Sequence, residues 1–320
     1  MSKKDRRTSE LTSFRHWITI FFILLTFVVL ADFTASFRAE ANQPVAYQDF
    51  VDAVTERLDR LSPTALLLAE DFSYATGQLT DLNGGANVSG GNWIDFSGTG
   101  NPITVTSPGL TYTGYAGSGV GNKVTITAST SSSEDAYRSF DTQTTGTVYA
   151  GLIVNVVDTN LLPLNSSTTG EYITGFLPST STSTFAARVS FRQGTVPNTF
   201  QIGLRASGNA GNVAEFSSVD RPVGTPVLIV FSYEIISGAT NDVIKLWINP
   251  ALGGSEPAPT VAEVPAVEIA DISRIFIRQG SSSGVSTPNA EVDGIRVGTT
   301  WADVAGSSPS TTCQTVTQLT

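Results

Sequence analysis

From Leu66 onward, hydrophobic and polar residues alternate with a period of two. In "FAARVSFR", Phe185, Ala187, Val189 and Phe191 are set against Ala186, Arg188, Ser190 and Arg192. Successive side chains of a strand point to opposite faces, so this pattern predicts a strand buried on one side. "TVPNT" then turns the chain into "FQIGLR", a second strand beside the first. "PVLIVFSYEII" and "VIKLWIN" are joined by the turn "SGATND", and the first is apolar enough to be central in a sheet. Further strands are predicted at "WIDF", "ITVT", "KVTIT", "TVYAGLIVNVV", "EYITGFL", "ISRIFIRQG" and "EVDGIRVG". Gly/Ser/Asn turns separate them, with no helix-length pattern between. An all-β fold follows, with two packed antiparallel sheets forming a β-sandwich over residues 64–304.

The pattern before Leu66 is different. "AYQDFVDAVTERLDRLSP" carries Phe50, Val51, Val54, Leu58 and Leu61 at helical spacing and ends at Pro63, so residues 42–63 read as a short amphipathic helix or spacer. Residues 1–41 place Lys3, Lys4, Arg6, Arg7 and Arg15 ahead of an apolar run from Trp17 to Ala31, the order of an export leader. Cleavage after Ala31 or Ala41 gives a signal peptide. Continuation of the span to Phe37 gives a hydrophobic helix anchoring the chain in a membrane through residues 17–37. Both readings put the body outside the cell, secreted or held at the surface. The text after Val304, "AGSSPSTTCQTVTQLT", reads as a linker or the start of another domain over 305–320.

Charge and scarce residues narrow the chemistry. Net charge is −10 over 320 residues, and since the leader is basic the body is more acidic still. Such a surface repels phosphate backbones, which argues against nucleic acid as a partner. The single histidine, His16, lies in the leader, and the single cysteine, Cys313, lies near the end. The body therefore has no imidazole for a serine triad or a zinc site, and no internal disulfide. Glycine-rich stretches such as "GYAGSGVGN" lack the lysine and helix of a phosphate-binding loop.

Several segments carry a resemblance. "NDVIKLWINPALGGSEPAP", with its Asn-Pro exit and glycine turn, is similar to a hairpin of concanavalin A-like jelly rolls. "LLAEDFSYATGQL" looks like the opening strand of these modules, "SGTGNPITVTSPGLTYTGY" and "EDAYRSF" like early strands, and "IFIRQG" with "VDGIRVGTTWADV" like the closing pair. Together they resemble the concanavalin A-like lectin/glucanase jelly-roll module of bacterial extracellular proteins. Such modules often precede secreted nuclease, lamin-tail or sorting domains. The resemblance implies a jelly-roll sandwich, and the chain is then the front module of a larger secreted enzyme, a structural spacer, or a binding module.

Three sets of residues are candidates for a site. Sugar-cleaving relatives of the fold, the family 16 glycoside hydrolases, carry Glu-x-Asp-x-x-Glu on a strand, with the outer glutamates as nucleophile and acid/base. Here the motif begins at Glu291 and Asp293 but ends at Arg296, a group that cannot exchange a proton near neutral pH. The chain is accordingly expected not to be an enzyme. Adjacent first and last strands would gather Glu70, Asp71 and Asp293 as oxygen ligands for a structural calcium, the sole cofactor considered. Strict alternation turns Asp293 toward the core with Ile295 and Val297, unless a bulge at Gly294 rotates it outward. The third set lies at polar-parity positions: Arg188, Arg192, Arg205, Lys245, Arg274, Arg278 and Arg296, with Trp247 and Phe276 among them. Trp247 and Phe276 flanked by Arg188, Arg192 and Arg278 suit stacking on a sugar ring, and point to carbohydrate or another surface polymer as the partner.

Overall fold

The computed structural model describes residues 66–208, 213–282 and 284–306, all within the unit Thr64–Thr320. The leader, the helix expected at 42–63 and the tail beyond residue 306 lie outside the described residues. Among the described residues no helix is long and apolar enough to cross a membrane.

In chain order the first strands are β1 (Leu68–Glu70), β2 (Gly77–Gln78), β3 (Ile94–Ser97), β4 (Thr104–Thr106) and β5 (Lys123–Ile126). Longer strands follow: β6 (Asp135–Gln143), β7 (Gly146–Asp158), β8 (Glu171–Leu177), β9 (Ala186–Gln193) and β10 (Thr199–Arg205). Then come β11 (Ala214–Phe216), β12 (Arg221–Pro222), β13 (Val227–Ile235), β14 (Val243–Ile248) and β15 (Val261–Glu263). The last are β16 (Ile272–Arg278), the small hairpin β17 (Ser281–Ser282) and β18 (Val285–Ser286), and β19 (Asn289–Gly298). A single-turn helix, α1 (Trp301–Ala305), closes the described chain.

Two antiparallel sheets hold nearly all of these strands. The first has nine, in the order β15-β14-β13-β7-β19-β5-β4-β2, with β1 also paired to β19. The second has eight, in the order β11-β10-β9-β8-β16-β6-β3, with β12 also on β10. Runs of consecutive strands, β13 to β15 in the first sheet and β8 to β11 in the second, lie beside strands distant in sequence, as in the β7–β19 and β8–β16 pairs. The β1–β19 pair joins the two ends of the domain in register Leu68↔Val297 to Glu70↔Ile295.

Between the sheets lies the main core. Val148, Ala150, Leu152, Val154, Ile229, Phe231 and Leu246 of the first sheet meet Ile173, Phe176, Val189, Phe191, Phe200, Ile202 and Ile275 of the second. Phe176 and Phe231 touch across the layer with ring centroids 4.8 Å apart. Burying a side chain of this size contributes roughly 2–3 kcal/mol, so this layer fixes the inward parity of every strand crossing it.

Several register shifts break that parity, and two of them matter for the outer faces. Ala187 has a positive φ of 47°, and the β8–β9 register shifts between Thr174↔Val189 and Phe176↔Ala186. Ala186 and Ala187 both face the main core, and Phe185, expected inward with Val189 and Phe191, joins Tyr172 and Phe276 on the outer side instead. In β19 the register shifts between Asp293 and Arg296, at Gly294 with φ 59°. A Cβ on Gly294 would lie 2.4 Å from the Gly117 carbonyl oxygen, so only glycine permits that turn.

Candidate functional site

The outer face of the first sheet is closed by the chain's own segments. Leu110, Tyr112 and Tyr115 from the loop after β4, Leu252 after β14, and Trp301, Val304 and Ala305 of α1 pack on Tyr149, Ile153, Leu228, Val230 and Trp247. Trp247 lies 6.2 Å from Tyr149 and 5.0 Å from Trp301 by ring centroid, and its indole N–H donates to the Pro257 carbonyl at 2.9 Å. With 1% of its surface exposed, the residue expected to stack on a sugar offers no free ring face. Lys245 pairs with Glu256 at 3.2 Å, and Arg296 donates to the Asp303 carbonyl.

The bulge decides the fate of the carboxylates on β19. It turns Asp293 outward, beneath the loop, where one oxygen accepts from Leu110 N–H and the other from Gly294 N–H, each at 2.6 Å. Burial is the main cause that pushes its carboxyl up to about 7, with the charge of Asp71 acting in the same direction and the two amides against it. Glu291 is held by Lys123 at 2.8 Å and by Asn155. Glu70 accepts from Phe72 N–H, the Tyr74 hydroxyl, the Trp93 indole and Arg138, and Asp71 accepts from Ser73 N–H. Strands β1 and β19 are thus neighbours as expected, but the three carboxylates considered for calcium serve separate partners. Among the described residues no group of three or more His, Cys, Asp or Glu side chains is placed to hold a metal.

The outer face of the second sheet is built differently. Phe276 of β16 is fully buried beneath Phe96, Tyr172 and Phe185, with centroids 6.5, 6.0 and 5.1 Å away. Opposite it in register stands Gly175, where a Cβ would crowd the Phe276 ring at 3.0 Å. Phe276 therefore forms the floor of this face, and Tyr172 stands at its centre.

Three guanidiniums surround the Tyr172 ring: Arg278 at 4.1 Å from the centroid, Arg188 at 5.4 Å and Arg205 at 5.5 Å. Their strands explain the convergence. Arg188 of β9 and Arg205 of β10 are direct cross-strand partners, and Arg278 comes from β16 on the other side of β8. Arg278 is tied to Glu171 at 2.9 Å and lies 3.9 Å from Asp135. Arg188 donates to the Ala206 carbonyl. Arg205 makes no hydrogen bond or ion pair among the described residues, and its buried Nε is unpartnered. The remaining arginines of this face lie elsewhere on it. Arg192 binds Gln201 and the Ser167 carbonyl and sits over Phe216, while Arg274 donates to the Pro178 and Ser179 carbonyls and sits over Tyr137.

The sequence-predicted set is therefore split. Arg188, Arg278 and Phe276 come together, Arg192 stands apart on the same sheet, and Trp247 belongs to the opposite one. Sequence reasoning did not single out Tyr172, Glu171 or Asp135, although Tyr172 shares strand "EYITGFL" with the aromatic floor.

Electrostatically the cluster is cationic. Burial pulls the Arg188 guanidinium down to about 10, with the Arg205 charge adding to it, and burial likewise lowers Arg205. Burial pushes the Asp135 carboxyl up to about 6 against the pull of Arg278. Burial also raises the Tyr172 hydroxyl, opposed by Arg278, Arg188 and Arg205. The arrangement can hold an anion against guanidinium donors, and it places a carboxyl that exchanges a proton near neutral pH one arginine away.

No family model matches the chain, and no curated protein matches it. Among solved structures, it is similar to an endo-β-1,4-glucuronan lyase from the fungus Trichoderma reesei, with TM-score 0.33, 13% identity and coverage of 75% of this chain and 98% of that one. It is also similar to the catalytic domain of a glycoside hydrolase family 131 protein from Coprinopsis cinerea, with TM-score 0.39, 12% identity and coverage of 72% and 93%. A third is the lectin UEA-II complexed with galactose, with TM-score 0.36, 13% identity and coverage of 73% and 99%. The expectation that the chain is not an enzyme does not stand: two of these three structures are named as enzymes and one as a lectin, which leaves a catalytic role open.

Proposed function

We propose that this chain engages a carbohydrate or another surface polymer outside the cytoplasm, on the outer face of the second sheet. The observation that carries the reading is Tyr172 with the guanidiniums of Arg188, Arg205 and Arg278 at 4.1 to 5.5 Å from its ring. Tyr172 is itself buried, so what this face presents is the layer of rigid planar guanidinium donors packed on it, which suits a ligand rich in oxygen acceptors such as a sugar. The basic, apolar order of residues 1–41 supports export of the body, by cleavage or by anchoring. The similar structures bear carbohydrate names, and the proposal rests on this chain's own face.

Affinity electrophoresis against neutral and acidic polysaccharides tests the reading. Retardation by at least one polymer is expected, together with its loss in Tyr172→Leu, a substitution that keeps apolar bulk over Phe276. Migration unaffected by every polymer overturns the proposal, as does retardation of Tyr172→Leu equal to that of the parent chain.

A further inference from the structure

We infer that Arg205 receives the anionic group of an acidic polysaccharide, a uronate carboxylate or a sulfate ester, an inference that rests on the carbohydrate reading of this face. Arg205 closes β10 directly opposite Arg188, and like charges facing each other across a strand pair oppose sheet formation. The residue keeps only 9% of its surface exposed, and among the described residues no carboxylate or carbonyl accepts from it. The two acidic side chains of the cluster, Glu171 and Asp135, make their close contacts with Arg278, and Glu171 reaches Arg205 only through its longer-range charge.

The other arginines of this sheet show what a committed guanidinium looks like here. Arg192 and Arg274 each have carbonyl or amide acceptors as well as a ring beneath them. Among the described residues Arg205 has the Tyr172 ring and the distant charge of Glu171, with no acceptor for its N–H groups. A buried cation with no hydrogen-bond or ion-pair acceptor weakens a fold, and the deficit is removed when a ligand brings the acceptor. The guanidinium fork matches carboxylate and sulfate oxygens two at a time. The net charge of −10 sets a bound on the partner: it opposes a densely charged polyanion and favours a polymer whose anionic groups alternate with neutral sugars.

Binding of the full chain to hyaluronan, to its carboxyl-reduced neutral form and to a sulfated galactan, measured by titration calorimetry at two salt concentrations, tests the inference. Expected is salt-sensitive binding to hyaluronan or to the sulfated galactan, absent with the reduced polymer and weakened at least tenfold in Arg205→Gln. The polymer that binds identifies the anion. Binding of charged and reduced polymers alike, or full affinity in Arg205→Gln, overturns the inference and leaves the carbohydrate reading standing. Absence of binding to any neutral or acidic polysaccharide overturns both. Thermal unfolding of Arg205→Met supplies a readout free of ligand: a midpoint equal to or above that of the parent chain is expected, and a lower one shows that the guanidinium serves the fold and overturns the assignment.

Discussion

Trp247 and Phe276 occupy equivalent polar-parity positions, one in each sheet, and both are buried by different means. Over Trp247 the chain lays its own loop and the helix α1, so Tyr149, Trp247 and Trp301 form a second apolar core. Over Phe276 no segment of that kind closes among the described residues; Tyr172 and Phe185 cover the ring, and arginines cover Tyr172. An apolar lid is satisfied by its own packing, whereas a lid of guanidiniums leaves charges that need acceptors. On the proposed function, the first face serves stability and the second a partner. The largest test of that division is Trp247→Ala. Removing a packed indole is expected to cost about 3–5 kcal/mol in urea unfolding while leaving polysaccharide binding of the folded protein unchanged. Loss of binding with the fold intact would erase the distinction between the faces.

Asp293 offers the next test, because it belongs to the sealed face. Its carboxyl is pushed up to about 7 from an ordinary 3.8. A folded value above the unfolded one means that the fold prefers the protonated form. The stabilisation is present in full below about pH 4 and is lost as pH rises to about 7. Relative to Asp293→Asn, which cannot titrate, the parent chain should lose stability on the order of 2–4 kcal/mol between pH 4 and pH 8. A difference that stays flat across that range would show that the bulge leaves Asp293 open to water. Because Asp293 lies far in the sheet order from the arginine cluster, polysaccharide binding should not follow the same curve.

The strands were largely legible because the inter-sheet core imposes a strict period of two over long stretches. "TVYAGLIVNVV", "EYITGFL" and "ISRIFIRQG" fall on β7, β8 and β16 within one or two residues. Alternation failed where one residue breaks it. Ala187 adopts a positive φ although alanine gives no local signal for it, so Phe185 changes faces unannounced. Gly294 did give a signal, and the outward turn of Asp293 follows from it. Parity also assigns a side chain to a face without saying which sheet carries it. Trp247 and Arg278 therefore read as neighbours in sequence, and only the strand order separates them. Helix α1 was hidden because five residues are too few to show a helical period, even though Thr300 and Asp303 form a reciprocal capping pair at its start.

The smallest expected effect divides the second face itself. Arg192 and Arg205 share β-sheet neighbours, yet Arg192 donates to Gln201 and Ser167 and covers Phe216. Its bonds are local and partly exposed, so Arg192→Met should cost only about 1 kcal/mol in denaturant unfolding. The Tyr172 cluster loses nothing by it, and the affinity for an acidic polysaccharide should change less than threefold, against at least tenfold for Arg205→Gln. Equal losses from the two substitutions would mean that the face acts through its total positive charge. Unequal losses would mean that position decides, and that the arginine left without an acceptor is the one a ligand completes.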